Sequence, residues 1–227
     1  ILALTFGYTL IMAETSLGRM TRKSPVGAFE SFGNSRFISI GGWINAIIPI
    51  LIVPYYSVIG GWVIKYLIEY FAGHSKTLAG DAYFTTFISN GWSTEICFII
   101  FTLFTLGIIY AGVRNGIERV SKFMMPILIV LSLIIAVYSV TRPGAIEGVK
   151  YFLVPNFDHF SWMTVVSAMG QMFYSLSIAM GILITFGSYM KKDTSIEKST
   201  ENVEIFDTAI AIMAGLMIIP AVFAFSG

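Results

Sequence analysis

Two serines lie where a helix facing lipid would normally carry leucine. Ser175 and Ser177 fall near the middle of a charge-free run from Phe160 to Met190, and small residues follow them. If the helix is broken here, freed carbonyls and hydroxyls can bind a cation, and the N-terminus of the second half can hold a carboxylate. A continuous helix whose small residues pack against a neighbour is the alternative.

Two carboxylates lie in or beside other apolar runs. Glu14 falls near the end of the first run, where an ionisable group is a functional candidate because its burial is costly. An ion pair with Arg19 is the alternative. Asp207 begins the last apolar run. It either caps a helix at the membrane surface or, if the helix begins within the Gly- and Pro-free stretch 195–206, lies deeper.

Tyrosines and prolines share the run from Phe37 to Ile64, which contains Pro49, Pro54, Tyr55 and Tyr56. These tyrosines are too deep for an interfacial belt, so at least one hydroxyl needs a partner or a ligand. A packed tyrosine bonded to a helix backbone is a common alternative.

Composition indicates that membrane helices carry these residues. Hydrophobic residues make up 56% of the 227 residues and charged ones 12%, whereas a soluble domain has about 25% charged residues. The mean hydropathy is +0.79. The single Cys97 excludes an internal disulfide, and a net charge of +1 gives no argument for nucleic acid. We therefore expect an all-α, multi-pass protein of the cell membrane.

Six helices are predicted from the apolar runs, because a helix needs about 20 residues to cross the bilayer. Their bounds are about 1–19, 37–71, 93–113, 117–140, 161–190 and 199–227. We expect them to form a single transmembrane domain over residues 1–227. It is expected to be incomplete, because Ile1 has no lead-in and Gly227 ends an apolar stretch.

Basic residues orient these helices, because loops on the cytoplasmic side carry an excess of them. If the first helix runs inward, ten of the 14 lysines and arginines are cytoplasmic: Arg19, Arg22, Lys23, Arg36, Arg114, Arg119, Lys122, Lys191, Lys192 and Lys198. The outer ones are Lys65, Lys76, Arg142 and Lys150.

Five stretches together resemble one known family. They are "ETSLGRM" at 14–20, "PYYSVIGGW" at 54–62, "GVRNGIERVSKFMMP" at 112–126, "VPNF" at 154–157 and "GQMFYSLSIAMGILITFGSYMKKD" at 170–193. In this order and spacing, over essentially the whole chain, they resemble the neurotransmitter:sodium symporters, in particular their bacterial amino-acid transporters. The resemblance implies a five-plus-five inverted repeat with discontinuous helices, of which this chain would hold the second to seventh.

The resemblance also implies a role for individual residues. Tyr56 would donate to the substrate carboxylate and Tyr174 would close over the substrate. Ser175 would border the substrate and, with Asp207, bind sodium. The side-chain pocket would be shaped by Ile52, Ser177, Ala179 and Met180.

Four further residues would serve gating and structure. Gln171 would lie in the outer gate, and Glu14 would bond backbone groups freed by the broken helices. Gly116 and Pro126 match a family pattern for local unwinding that admits water to a sodium site. Sodium would be the coupling ion, with no other cofactor, and the partners would be an amino acid and the lipid bilayer.

Two departures from the family pattern refine this prediction. Asp207 stands where many members have an asparagine ligand for sodium, beside which chloride-dependent members bind the anion. A fixed carboxylate would supply that negative charge, so we expect chloride independence. Met180 replaces a phenylalanine of some members, and flexible methionine favours a large apolar or aromatic substrate.

Other functions fit the sequence less well. A proton-driven carrier of amino acids or cations with a similar broken-helix fold is the main alternative. An ion channel would need a polar pore stripe or a re-entrant filter, and neither is visible. A membrane enzyme is disfavoured because His74 and His159 both fall in outer loops and no nucleophile–base pair or metal-binding spacing occurs.

Overall fold

The structure is a computed structural model that describes residues 2–33, 35–80, 82–158 and 160–226. Ile1, His159 and Gly227, which entered the predictions above, lie outside the described residues. The described part consists of helices and their connections. The α-helices are α1 Tyr8–Thr21, α2 Pro25–Glu30, α3 Arg36–Phe71, α4 Ser75–Leu78, α5 Tyr83–Ser89, α6 Gly91–Tyr110, α7 Arg119–Val140, α8 Ala145–Leu153, α9 Trp162–Ser175, α10 Ile182–Tyr189 and α11 Ile196–Ser226. Two π-helices, Ala3–Gly7 and Val113–Glu118, precede α1 and α7.

Among the described residues, four helical segments are long and apolar enough to cross a membrane. They are Arg36–Phe71, Gly91–Tyr110, Asn115–Val140 and Ile196–Phe225. The first predicted span is covered by a π-helix followed by α1, and the predicted helix 161–190 is divided into α9 and α10.

The chain divides into two compact units by its internal contacts. The first contains the described residues of 1–49 and 126–227, and the second contains residues 50–125. In the first unit, α1 and α10 pack backbone to backbone. A Cβ atom on Gly18 would lie 2.9 Å from the Cα of Ile184, and one on Gly187 would lie 3.1 Å from the Cα of Thr15. Glycine is required at both positions because only its missing side chain allows this approach.

The core of the first unit lies beside that contact. Ile11, Met172, Leu176 and Ile178 are each less than a tenth exposed and pack together. They come from α1, from α9 and from the segment between α9 and α10. This cluster therefore anchors both the end of α9 and the residues that follow it.

The C-terminal end of α1 is hydrogen-bonded to the end of α10 and to the segment that follows it. Arg19 donates hydrogen bonds to the carbonyls of Lys192 and Thr194, and Arg22 donates to the carbonyl of Ser188 over 3.0 Å. Arg19 lies in the last turn of α1, where a positive charge is favourable, and its guanidinium is engaged with backbone oxygens of another segment.

The second unit packs the C-terminal part of α3 against α5 and α6. A Cβ on Gly61 would lie 2.8 Å from the backbone nitrogen of Phe98, so the α3 and α6 backbones are in close contact. The rings of Trp62 and Phe84 meet edge to face with centroids 5.1 Å apart. Edge-to-face packing of this kind stabilises aromatic pairs.

Candidate ion and substrate site

The centre of the first unit is a break between α9 and α10. Helix α9 ends at Ser175 and α10 begins at Ile182. Between them, Ser177, Ala179 and Gly181 have positive φ angles of 55°, 60° and 67°. Ordinary residues rarely adopt this left-handed conformation, and Ser177 and Ala179 occupy it only because their surroundings hold them there.

Glu14 is one of the groups that hold the break. Its Oε1 accepts a hydrogen bond from the backbone N–H of Ala179 over 2.7 Å. Its Oε2 is buried and has no hydrogen-bond partner among the described residues. The alternative pairing of Glu14 with Arg19 is not what the structure shows, because Arg19 bonds to the carbonyls after α10. Glu14 thus supplies an acceptor to an amide that the helix no longer satisfies.

Asp207 lies opposite the end of α9. Both of its carboxylate oxygens lie 3.0 Å from the hydroxyl of Ser175, which donates to them. Helix α11 begins at Ile196, so Asp207 is its twelfth residue and lies about 16 Å along the helix. The surface-cap alternative for Asp207 is therefore wrong, because the stretch before it is helical.

Ser175 and Asp207 line a cavity of about 550 Å³. Gln171 and Thr208 add an amide and a hydroxyl to its wall, and the remaining lining is mostly apolar, as with Leu176. Three residues predicted from the sequence, Gln171, Ser175 and Asp207, therefore meet in one cavity. Carboxylate, hydroxyl and amide oxygens are ligands that hard cations prefer.

Met180 lines a separate cavity of about 380 Å³. Its wall also includes Pro25 from the start of α2, Asn45 from α3 and Phe186 from α10. The lining is almost entirely apolar, which suits a hydrophobic group.

The other predicted site residues lie on several elements. Tyr174 lies in the last turn of α9, next to Ser175, and Pro126 lies within α7. Ile52 and Tyr56 lie on α3, and Gly116 lies in the π-helix before α7. These last three belong to the unit formed by residues 50–125.

The region around Gly116 is irregular for a local reason. Gly112 has a φ of 83°, and the chain then forms the π-helix Val113–Glu118. Gly116 is buried, and a Cβ there would come within 3.2 Å of the Cβ of Ala111. Short π-helical segments of this kind often occur at functional sites.

Two side chains near Asp207 were missed by the sequence analysis. Thr208 lines the same cavity, and Glu204 lies one turn earlier on α11 and is only 4% exposed. Glu204 is three residues before Asp207, so helical spacing puts both on one face, but the burial of that face is visible only in the structure. Helix α11 begins at Ile196, three residues before the predicted start at 199.

Comparison with known proteins now gives the family. The sequence profile of the Sodium:neurotransmitter symporter family matches residues 82–227, which is more than half of the chain. The chain belongs to this family. It is 33% identical over 222 residues to the uncharacterized sodium-dependent transporter YhdH of Bacillus subtilis (strain 168), covering 96% of this chain and 49% of that protein.

Further matches extend over nearly the whole chain. An uncharacterized sodium-dependent transporter of Haemophilus influenzae is 30% identical over 235 residues, covering 98% of this chain and 51% of that protein. The crystal structure of MhsT in complex with L-phenylalanine superposes with a TM-score of 0.91 at 35% identity, covering 98% of this chain and 52% of that one. The chain spans about half the length of the relatives it matches.

These matches confirm the predicted family and the all-α, discontinuous-helix transporter fold. The family consists of multi-pass membrane symporters and not of enzymes. The four long apolar helices agree with that location.

Proposed function

We propose that the full-length protein carries a large apolar or aromatic amino acid across the cell membrane, coupled to sodium and independent of chloride, by alternating access. The observation that carries the proposal is the contact of Ser175 with Asp207 at the end of α9, beside a helix break inside a membrane protein. Non-helical backbone at membrane depth is tolerated where it is buried in protein or lines a cavity, and such cavities bind ions and substrates.

Sodium is the ion that this arrangement favours. Ser175 and Asp207 offer a hydroxyl and a carboxylate on the wall of one cavity, with the hydroxyl of Thr208 nearby. All are oxygen ligands, which suit a hard cation. Among the described residues no group of three metal-binding His, Cys, Asp or Glu side chains occurs, so a transition-metal site is not favoured.

Chloride independence follows from the charge of Asp207. A sodium ion in a low-dielectric site requires a compensating negative charge close by. In this proposal the Asp207 carboxylate supplies it permanently, and its position on the cavity wall beside Gln171 supports that role. A bound chloride ion would then add a second negative charge and would be disfavoured.

An apolar amino acid is the substrate that the surroundings of Met180 favour. The 380 Å³ cavity beside Met180 has room for a large side chain, and its wall is almost entirely apolar. The crystal structure of MhsT, which is 35% identical, holds L-phenylalanine. We therefore propose phenylalanine, leucine or tryptophan as the first substrates to test.

The remaining predicted residues complete the proposal. Tyr56 binds the substrate carboxylate, Tyr174 closes over the substrate, and Ile52, Ser177 and Ala179 border its side chain. Gln171 acts in the outer gate and Glu14 supports the break. Gly116 and Pro126 allow the inner end of α7 to open to water. All of these belong to one transmembrane transporter domain.

The first experiment measures binding of labelled phenylalanine to the full-length protein in sodium chloride, sodium gluconate and choline chloride. We expect binding in both sodium salts and none in choline. Equal binding in choline would contradict sodium coupling and favour the proton-driven carrier. Binding in sodium chloride alone would leave sodium coupling intact and contradict the role of Asp207.

A variant sharpens the chloride test. Asp207→Asn removes the fixed charge and keeps the size of the side chain. Phenylalanine binding should weaken about tenfold or more in sodium gluconate, which corresponds to a loss of about 1.4 kcal/mol or more. Binding should recover partly in sodium chloride. Asp193→Asn changes an exposed aspartate in the loop before α11 and is the matched control. Equal binding of Asp207→Asn in both salts, at the wild-type level, would contradict the proposal.

A further inference from the structure

Helix α11 carries a row of side-chain oxygens along the face that it buries. The row, called here the oxygen ladder, consists of Thr200, Glu204, Asp207 and Thr208. Thr200 is 2% exposed and Glu204 is 4% exposed. Their spacing of three and four residues puts all four on one face of the helix. In contrast, Glu201, Val203 and Ile205 on the other faces are exposed.

Glu204 is the buried carboxylate of the ladder. Its Oε1 is buried and accepts no hydrogen bond from the described residues. None of the ion pairs formed among those residues includes Glu204. Tyr8 of α1, the helix packed against this part of α11, lies within electrostatic range of Glu204. A buried carboxylate of this kind in a membrane protein calls for a cation, because ionised groups are costly there unless they are paired.

The position of Glu204 suggests which cation it takes. Helix α11 begins at Ile196 on the side of Lys191, Lys192 and Lys198, the predicted cytoplasmic side, so Glu204 lies one turn closer to that side than Asp207. A sodium ion that leaves Asp207 and Ser175 toward the cytoplasm meets Glu204 next on the same face, about 4.5 Å along the helix axis. Thr200 offers a further hydroxyl one turn beyond.

We propose that Glu204 is a second sodium-binding carboxylate, which receives the ion as it leaves Asp207 for the cytoplasm. This inference rests on the proposed sodium-coupled function. The two carboxylates act in sequence: Asp207 fixes the ion when substrate binds, and Glu204 lowers the barrier to its release. The second carboxylate offers the cation another favourable position about one helical turn away, so the ion can move from Asp207 to Glu204 without leaving the range of a negative charge.

The test separates equilibrium binding from release. In the full-length protein, reconstituted into lipid vesicles, Glu204→Gln should raise the sodium concentration for half-maximal phenylalanine binding far less than Asp207→Asn does. Release of radioactive sodium from the protein should slow about tenfold, because removal of one favourable site on the path raises the barrier to release. Glu201→Gln changes an exposed carboxylate on the same helix and is the matched control, with no effect expected on either quantity.

Three results would overturn the proposal. If Glu204→Gln behaves as wild type in both measurements, no ion visits Glu204. If it shifts the half-saturating sodium concentration as much as Asp207→Asn does, Glu204 belongs to the equilibrium site. If sodium release is unchanged but the variant loses a pH dependence of uptake seen in wild type, the group binds a proton instead.

Two further points keep the test decisive. If Glu204→Gln does not fold, Thr200→Val removes the next oxygen of the ladder while nearly keeping the side-chain volume, and it should also slow release without a shift in half-saturation. If wild-type binding does not require sodium at all, the proposed function fails before any variant is compared.

Discussion

Two long apolar segments of this chain respond differently to residues that disfavour helices. Helix α3 runs unbroken for 36 residues from Arg36 to Phe71, although it contains Pro49 and Pro54. The segment 162–189 contains no proline, and it breaks after Ser175. Proline therefore does not decide where this protein interrupts a membrane helix.

The difference lies in how many backbone groups each interruption frees. A proline inside a helix removes a single hydrogen bond, to the carbonyl four residues earlier. The break between α9 and α10 frees several amides and carbonyls, which lipid cannot satisfy. Glu14 from α1 accepts from one of these amides, and Asp207 from α11 accepts from the hydroxyl of Ser175 beside it. A break in this protein thus occurs where other helices bring polar partners.

Removal of Glu14 should have the largest effect on this comparison. Glu14→Ala deletes the acceptor of the Ala179 N–H, and a hydrogen bond to a charged group contributes about 1.5–3 kcal/mol. We expect a clearly lower melting temperature of the full-length protein and loss of sodium-dependent phenylalanine binding. Glu14→Gln keeps an acceptor oxygen and should retain part of both. Equal stability and binding of the two variants would show that the break does not depend on this bond.

The sequence predicted the family and the fold, and the family resemblance implied that Glu14 bonds freed backbone groups, but composition alone did not decide whether the segment is broken. The composition of 170–189 is compatible with a broken helix and with a continuous helix that packs closely against a neighbour. The residues that decide between them, Glu14 and Asp207, are distant in sequence. The Gly- and Pro-free stretch before Asp207 correctly indicated a deeper helix position as one alternative. Glu204 was missed because only the structure shows that its face of α11 is buried and that its oxygen has no described partner. The roles of Tyr56, Tyr174 and the other site residues stay predictions.

A pair of substitutions compares the two segments directly, with a smaller expected effect. Gly181 has a φ of 67°, and a Cβ there would lie 2.7 Å from the side chain of Pro25. Gly181→Ala should therefore destabilise the full-length protein by about 1–3 kcal/mol through backbone strain. Pro54→Ala on α3 restores a helical N–H at an exposed position and should leave stability unchanged or raise it.

Thermal unfolding of the Gly181→Ala and Pro54→Ala variants in detergent, with phenylalanine binding as a second readout, tests these two expectations. If Pro54→Ala lowers the melting temperature more than Gly181→Ala does, the structure of α3 depends on its proline more than its continuous helix suggests. If Gly181→Ala is neutral, the break tolerates a side chain and its conformation is not the constraint inferred here.

The smallest effect is expected within α9 itself, where the comparison can be sharpened without touching the break. Gly170 lies in the interior of α9, and a Cβ at this position would meet no atom of another described element within 4 Å. Glycine inside a helix is less favourable than alanine by about 0.5–1 kcal/mol, so Gly170→Ala should raise the melting temperature slightly. Because the break is held by Glu14 and Asp207 and not by weak helix propensity, sodium-dependent phenylalanine binding should not change. Reduced binding with higher stability would indicate that a stronger α9 closes the break, and lower stability would show that another segment of the full-length protein packs against Gly170.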